Sequence, residues 1–330
     1  MDNVAATSFG DIRALPKAQS HLHLTGAMRP GTLRELATRY GVPVPPAWDH
    51  TRVQEWAAFQ GRYDAAREVI RTPTDVARVI SEAAEDDAAD GCGWMEIQVD
   101  PTSYAPAFGG MEAVVEAVLS AAAASPVPTG VIIASSWARS GDHAEALARL
   151  AVRYAGSGVV GFGLSNDERL GDVVDYVPAF RLAADAGLLL TPHSGFYTGA
   201  GHVRDCVDLL KATRIGHGTA AVTEPSVLAL LAERQVAMEI CPTSYAPLGV
   251  HEPSDVPVRT VLDAGIPVTI GSDDPLVFGA GLAEQYALCR DVLGLDDALL
   301  AVLARHSIAS SAAPDEIKRV LTAGVDAWFR

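Results

Sequence analysis

Histidine and aspartate side chains stand at or just after the ends of several predicted strands. His21 and His23 form an HLH motif, His193 ends the fifth apolar run, His217 stands in RIGHG and Asp273 in IGSDDP. Side chains two residues apart in a strand point to one face, so the two HLH imidazoles would converge. Imidazole and carboxylate ligands suit Zn²⁺, and iron or manganese is also compatible. We therefore predict one divalent ion here, preferably zinc, with a hydrogen-bonded polar plug without metal as the alternative.

Short apolar runs alternate with Ala- and Leu-rich amphipathic stretches along the chain. The predicted strands are residues 18–24, 94–99, 130–134, 159–163, 188–193, 214–217, 236–240 and 267–270. The predicted helices between them are residues 75–90, 111–123, 143–154, 177–186, 202–212, 226–234 and 258–264. Eight such units predict an α/β fold, the closed (β/α)8 TIM-type barrel, whose active sites lie at the carboxyl ends of the strands.

The alternative fold is an open, doubly wound sheet, which needs a glycine-rich phosphate turn after the first strand. The chain has TGAMRP there instead. Residues 29–91 form a longer connection than one crossover helix needs, which predicts extra helices inserted between the first two strands, over the barrel mouth. No linker or repeat is visible, so we expect one domain over residues 1–330.

The composition bears on partners and location. The 330 residues carry a net charge of -16, which disfavours nucleic-acid polymers and acidic membranes. A small-molecule substrate that is neutral or cationic is easier to reconcile with this charge, although net charge does not describe a local pocket. The four cysteines show no paired spacing and indicate reduced, buried thiols. The N-terminus lacks a signal-peptide pattern, and no apolar run is long enough for a membrane span. We expect a cytoplasmic protein and make no prediction of its oligomeric state.

Other polar and aromatic residues have structural interpretations. Surface or capping roles are expected for His50, His143, His202 and His306, whereas His251 is a candidate substrate contact after the seventh strand. The acidic run EDDAAD, residues 85–90, is typical of a solvated helix face. An aromatic set before the second strand is interpreted as core, with a lid or a contact surface as alternatives: Trp56, Phe59 and Tyr63.

Five sequence blocks, in order along the chain, carry a family resemblance. LPKAQSHLHLTGAMRP, VVGFGLSNDE, RIGHG, MEICPTS and IGSDDPLVFG resemble the adenosine deaminase family of the amidohydrolase superfamily. The likeness spans residues 15–279. It implies a zinc-bearing (β/α)8 barrel in which metal-bound hydroxide displaces the amino group of a purine ring.

The resemblance also implies a role for individual residues. The implied metal ligands are His21, His23, His193 and Asp273. His217 corresponds to the residue that orients and deprotonates the metal-bound water, and Asp273 also serves as a candidate catalytic proton carrier. Three further positions correspond to substrate contacts: Asp274 to the ring nitrogen, Asn166 through its backbone N–H, and Thr25 where some members have an Asp that contacts ribose.

One position departs from the family pattern. The family reads His-Ala-Gly-Glu after the fifth strand, and this chain reads His193-Ser194-Gly195-Phe196. That Glu is the family's general acid, and such catalysis contributes about 10²–10⁴-fold in rate. Gly195 and Phe196 are predicted to contact the substrate from this loop. Phe196 has no ionisable group, so it cannot transfer a proton. Tyr197 is a possible substitute donor.

Three functions are consistent with this pattern. The first is a zinc aminohydrolase or amidohydrolase that acts on a heterocyclic or nucleoside-like substrate other than adenosine. The second is an adenosine or adenine deaminase with a relocated proton donor. The third is a non-catalytic ligand-binding relative that retains the old pocket.

Overall fold

The computed structural model describes residues 10–46, 48–49 and 52–330. His50 and the first nine residues lie outside the described residues. The surface or capping role expected of His50 and the expectation for the N-terminus therefore stay predictions. Eight parallel strands follow one another in chain order around the sheet. The strands are β1 (Lys17–Gln19), β2 (Cys92–Val99), β3 (Thr129–Ser136), β4 (Val159–Ser165), β5 (Leu189–Ser194), β6 (Arg214–His217), β7 (Ala237–Ile240) and β8 (Val268–Ile270).

Helices connect the strands and surround them. They are α1 (Pro30–Tyr40), α2 (Trp56–Arg67), α3 (Pro73–Ala89), α4 (Ala105–Phe108), α5 (Met111–Ala123), α6 (Gly141–Arg153), α7 (Val177–Asp185), α8 (Ala200–Asp208), α9 (Pro225–Arg234), α10 (Pro242–Tyr245), α11 (Val258–Asp263), α12 (Pro275–Phe278), α13 (Leu282–Asp291), α14 (Asp297–Ser310) and α15 (Asp315–Trp328). None of the described helices is long and apolar enough to span a membrane. The predicted (β/α)8 barrel with extra helices between its first two strands is confirmed.

The first strand is shorter than predicted. Regular pairing ends at Gln19 rather than at residue 24, because the chain then pairs with both barrel neighbours in turn. Leu22 forms a bridge with Asp273, and His23 forms one with Gln98. The backbone N–H of Asp273 donates to His21 O at 2.9 Å, and that of His23 donates to Asp273 O at 3.1 Å. These hydrogen bonds join the first and last strand regions where the metal-binding residues were predicted.

Helix α3 returns the chain to the barrel after the two inserted helices. Its first turn has a capping box, in which Thr72 accepts from the Asp75 N–H and the Asp75 carboxylate accepts from the Thr72 N–H. Pro73 occupies the first helical position, where a missing N–H costs nothing. Helix α2 lies over the carboxyl ends of the strands and contributes to the lining of the cavity there.

The interpretation of the acidic run as a solvated face is wrong for two of its members. Glu85 and Asp86 are exposed, but Asp87 and Asp90 are buried. They face the buried Lys17, whose ammonium group donates to the backbone carbonyls of Asp90 and Ile12. Burial lowers the pKa of Lys17 to about 8 and raises that of Asp87 to about 7. The end of α3 therefore packs against the barrel wall through Asp87 and Asp90.

Two of the remaining histidine interpretations change with the structure. His202 is half-buried rather than on the surface, and its Nδ1 lies 2.7 Å from the hydroxyl of Ser194. His306 lies inside α14, where its Nδ1 accepts from the Val268 N–H at 3.1 Å. His143 is in the first turn of α6 and contacts Thr102. The four cysteines are free and buried, as expected: Cys92, Cys206, Cys241 and Cys289.

Candidate metal centre and substrate cavity

The predicted metal-binding side chains converge at the carboxyl end of the barrel. His21 and His23 follow β1, His193 lies in β5, and Asp273 follows β8. The Asp273 Oδ1 lies 3.6 Å from His21 Nε2 and 3.4 Å from His23 Nε2. His23 Nε2 and His193 Nε2 are 3.3 Å apart. His217, at the end of β6, brings its Nε2 to 4.0 Å from Asp273 Oδ2.

These separations fit a tetrahedral metal site. With metal–ligand bonds of about 2.0–2.1 Å, neighbouring ligand atoms lie about 3.4 Å apart. Three separations have such lengths: 3.6 Å between His21 and Asp273, 3.4 Å between His23 and Asp273, and 3.3 Å between His23 and His193. His21 Nε2 is buried and has no hydrogen-bond partner among the described residues. A buried nitrogen left in that state is destabilising unless an ion or other partner meets it, so the donor set suits a divalent cation better than a polar plug.

A buried ionic network orients the first of these histidines. His21 Nδ1 lies 2.7 Å from Glu239 Oε2, and Glu239 Oε1 accepts from Arg214 Nε at 2.5 Å. Arg214 also pairs with Glu96 at 2.6 Å, and the Trp94 indole donates to that same carboxylate. A carboxylate outside the ligand set usually fixes a metal-binding imidazole through Nδ1. The ring then presents its Nε2 to the metal.

The imidazoles differ in their electrostatic surroundings. Burial alone would lower the pKa of His21, but the neighbouring carboxylates of Asp273 and Glu239 raise it to about 10. Burial lowers the pKa of His23, takes that of His193 well below its usual value and lowers that of His217 to about 3. The last three rings are therefore neutral near pH 7, the form in which imidazole binds metals and accepts protons.

The backbone is strained at the same place. Five non-glycine residues in the described chain have positive φ, and three of them belong to this centre: Asn166 at 75°, His217 at 65° and Asp273 at 60°. Such conformations cost of order 1–3 kcal/mol each and persist where the surrounding structure enforces them. Their concentration at the barrel mouth indicates a functional site.

A cavity of about 300 Å³ opens above the histidines. Its apolar side includes Trp56, Phe59, Tyr63, Phe196, Leu248 and Phe278, and its polar side includes Gln98, Asp100, Ser136, Ser165, Asn166 and Asp274. His23, His193 and Asp273 contribute to its floor. The aromatic residues of α2 thus line the cavity, where Phe59 stacks on Phe278 with a centroid separation of 5.7 Å. Their interpretation as ordinary core is therefore incomplete.

Asp274 lies against the chain that follows the HLH motif. A Cβ at Gly26 would lie 1.8 Å from Asp274 Oδ1, so glycine is required beside this carboxyl group. The Asp274 Oδ1 is buried without a hydrogen-bond partner among the described residues. Burial, followed by the charge of Asp273, raises the pKa of Asp274 well above its usual value. Asp274 therefore presents a desolvated carboxyl group to the cavity.

Phe196 lies beside His217 in the loop after β5. The two ring centroids are 4.7 Å apart in an edge-to-face arrangement. Glu168, buried behind this loop, accepts from the backbone N–H groups of Phe196, Tyr197 and Thr198 at 2.7, 2.9 and 2.8 Å. These hydrogen bonds fix the loop and leave Phe196 as an apolar wall beside the predicted metal-binding residues.

Other predicted contacts lie away from the cavity lining. The Thr25 hydroxyl is fully buried against Tyr104 Oη at 2.6 Å. Gly195 is a buried turn residue with φ 72°, and the hydroxyl of Tyr197 donates to Leu248 O. His251 packs its ring against Tyr245, 5.5 Å away. Phe196, Asp274 and Asn166 do line the cavity.

Comparisons with known proteins agree with this geometry. The sequence model of the adenosine deaminase family matches residues 16–328. A protein from Streptomyces virginiae, provisionally named adenosine/adenine deaminase, is 51% identical over 332 residues, which cover 97% of this chain and 98% of that protein. The chain belongs to the adenosine deaminase family. It is accordingly a hydrolase of C–N bonds whose substrate these comparisons leave open.

Two solved structures share the whole architecture of this family member. Adenine deaminase from Arthrobacter aurescens superposes with a TM-score of 0.87 at 29% identity, covering 95% of this chain and 98% of that one. An amidohydrolase from Burkholderia ambifaria with bound Zn gives a TM-score of 0.85 at 25% identity, covering 99% of this chain and 94% of that one.

Sequence reasoning missed several functional neighbours in this adenosine deaminase relative. Glu239 and Arg214 stand in the MEICPTS and RIGHG blocks, but nothing in their spacing shows that they meet beneath His21. Glu168 ends the LSNDE block, and its contact with the loop after β5 spans 28 residues. Arg67 carries no motif at all, although it lines the cavity. Only the folded barrel brings these side chains to the site.

Proposed function

We propose that this chain is a zinc-dependent aminohydrolase that hydrolyses an amino group from a heterocyclic or nucleoside-like substrate and is inefficient on adenosine. The observation that carries the proposal is the convergence of His21, His23, His193 and Asp273 beside a cavity, with three of their ligand-atom separations at 3.3–3.6 Å, in a member of a deaminase family. The proposed catalytic domain is the single barrel.

The proposed ligands are His21, His23, His193 and Asp273. When bound, a zinc ion there supplies Lewis acidity that makes water a usable nucleophile near neutral pH. Glu239 would keep the His21 ring in one tautomer and orientation through its 2.7 Å contact. Fixed ligands leave little reorganisation to be completed during the reaction.

His217 is the proposed proton acceptor. Its ring is buried and its Nε2 lies 4.0 Å from Asp273 Oδ2, so it is placed to orient water beside that carboxylate and to take its proton. Asp273 would help to carry that proton towards the departing amine. Asp274 and the backbone N–H of Asn166 would hold the ring, since both residues line the cavity.

Phe196 determines the proposed difference in substrate. An aromatic ring 4.7 Å from His217 excludes water and offers neither a donor nor an acceptor. A substrate that requires protonation of its ring nitrogen there would react slowly. A ring that lacks this nitrogen, or that has an apolar substituent at that edge, would pack against Phe196.

The test is amine release from a panel of nucleosides, purines, pterins and cyclic amides by protein loaded with zinc. The expected result is release from at least one substrate other than adenosine, abolished in a His217→Ala variant that still binds zinc. No release from any member, with zinc bound in stoichiometric amount, would overturn the proposal and leave a ligand-binding role.

A second candidate is an adenosine or adenine deaminase with a relocated proton donor. The similarity to proteins bearing those names favours it. Tyr197 is poorly placed for the task because its hydroxyl donates to Leu248 O and Arg169 covers its ring at 4.4 Å. Turnover of adenosine or adenine at ordinary enzyme rates would select this second function.

A further inference from the structure

We propose that the cavity accepts substrates with an anionic group, phosphate or carboxylate, distal to the reacting ring, and that Arg67 binds this group with help from Arg139. Both guanidinium-bearing residues line the cavity. The proposal rests on the proposed function, because it assumes that the ring occupies the space above the metal-binding residues.

Arg67 ends α2 with an incompletely paired guanidinium group. Its side chain is only 18% exposed, and its Nη1 pairs with Asp64 Oδ1 at 2.8 Å. Its Nε is buried without a hydrogen-bond partner among the described residues. A buried donor in that state costs about 1–3 kcal/mol, more when charged, so an acceptor that paired with the guanidinium would be favoured.

Two tyrosines hold the Arg67 guanidinium in place. Its central carbon lies 4.9 Å from the Tyr63 ring centroid and 5.7 Å from that of Tyr104. The Tyr104 hydroxyl is in turn fixed by Thr25 at 2.6 Å. A guanidinium whose plane is restrained by aromatic rings loses less conformational freedom on binding, and its planar fork matches carboxylate and phosphate oxygens.

Arg139 adds a second positive charge at the same cavity. It follows β3 in an exposed position, and within the described chain its side chain has no ion pair or hydrogen bond. The nearby acidic lining is already engaged, since Asp100 caps the Thr102 N–H at 2.9 Å and Asp64 accepts from Gln60 as well as Arg67. The ion pair with Arg67 offsets the charge of Asp64, whereas Asp100 keeps its negative charge.

The cavity also has room beyond Arg67. A second hollow of about 380 Å³ shares four lining residues with the first: Asp64, Arg67, Ser103 and Tyr104. Arg71 lines its outer part. Arg67 thus stands between the space over the metal-binding residues and an open space, where a substituent attached to the ring would extend.

Calorimetric binding of nucleoside-like ligands tests this inference without requiring turnover. Zinc-loaded protein would be titrated with inosine, inosine 5′-monophosphate and the 5′-carboxylate analogue of inosine. A charge-assisted pair predicts that at least one anionic ligand binds about 10–100-fold more tightly than inosine. The phosphate and carboxylate arms show which anion the site prefers.

Variants separate Arg67 from other sources of anion binding. Arg67→Gln should remove the anionic advantage, Arg67→Lys should retain part of it, and Arg139→Gln should have a smaller effect. The control is Arg34→Gln, the same charge change on the exposed face of α1, which should leave the ratio unchanged.

Several outcomes would overturn the inference. These are equal or weaker binding of both anionic ligands, no binding of any ligand, or an anionic advantage that persists in Arg67→Gln, as direct phosphate binding to zinc would give. Failure of the proposed function is seen separately, as an absence of amine release from the substrate panel even when the binding ratio follows Arg67.

Discussion

The metal floor and the substrate wall of the barrel mouth are built differently. The metal floor comprises His21, His23, His193, His217 and Asp273, and it is anchored by buried ionic contacts that reach down through Glu239 and Arg214. The substrate wall comprises Phe196, the aromatic residues of α2 and Arg67, and it is held by ring packing and by loop hydrogen bonds to Glu168.

This difference indicates which part of the site is constrained by chemistry. Under the proposed function, His21, His23, His193 and Asp273 must meet one small ion and His217 must lie beside it, so a displacement of an ångström would break the arrangement. The wall must only complement a substrate, so a change such as Phe196 alters which molecule fits without disturbing the floor. We infer that the hydrolytic apparatus has been retained and that its specificity has changed.

Removal of a floor ligand should have the largest effect. Asp273→Ala takes away the carboxylate that lies 3.4 and 3.6 Å from two histidine nitrogens. We expect loss of stoichiometric zinc and a fall in amine release on the order of 10³-fold, because Lewis acidity is lost with the ion. Metal analysis and steady-state rates measure both, with the exposed Asp185→Ala as control. Full zinc content in Asp273→Ala would show that Asp273 is not a ligand.

Introducing a carboxylic acid into the substrate wall should have the next largest effect. Phe196→Glu places a proton donor beside His217, so adenosine deamination should rise by about 10²-fold. The comparison is with Phe196→Gln, which is similar in size but cannot donate an acidic proton. Equal rates in the two variants would mean that the missing acid does not limit adenosine turnover.

A smaller effect, on zinc affinity, is expected from Glu239, which contacts His21 beneath the metal floor. Glu239→Gln keeps the shape of the side chain but weakens its hold on His21 and Arg214. Zinc affinity should fall by about 10–100-fold, as is usual when an outer-sphere partner is lost. Competition with a fluorescent chelator measures it, and far-UV circular dichroism checks the fold. Unchanged affinity in a folded variant would remove Glu239 from the metal floor.

The smallest expected effect concerns Asp87, which lies outside both the metal floor and the substrate wall. Burial raises the pKa of Asp87 to about 7, above its unfolded value, so the folded state favours the protonated form. Ionisation of the buried Asp87 lowers the free energy of unfolding. This loss of stability is absent below about pH 4, grows as the pH rises towards 7 and is complete above pH 7. Asp87→Asn should therefore stabilise the protein by on the order of 1–2 kcal/mol at pH 8 and by little at pH 4.

Denaturant unfolding at the two pH values measures this stability difference. The exposed Asp185→Asn is the control and should show no comparable dependence on pH. A destabilised Asp87→Asn at pH 8 would mean that the ionised carboxylate is held favourably near Lys17.

The sequence predicted the barrel because its apolar runs and helical stretches alternate eight times. It placed the floor residues correctly at strand ends, since parallel strands bring their carboxyl ends to one mouth. It could not find the Glu239–Arg214 contact or the loop contact of Glu168, because neither partner lies near the other in the chain. The burial of Asp87 was also hidden, since an acidic helical run carries no sign of the lysine it will face.

The length of β1 was misjudged for a related reason. Residues 20–24 have the composition of a strand, yet they pair with β2 and with the segment after β8 through isolated bridges. That irregular pairing depends on how the barrel closes, which no local pattern reports. The HLH histidines nevertheless converge, because the bridges keep the backbone extended beside both neighbours.

The most direct test of the account is the rate at which the zinc-loaded protein converts adenosine to inosine, followed by ultraviolet absorbance. We expect turnover far below the ordinary range of about 1–10³ per second, with zinc bound and the fold intact. Turnover within that range would contradict it, because a proton donor other than the residue at position 196 would then have to serve adenosine.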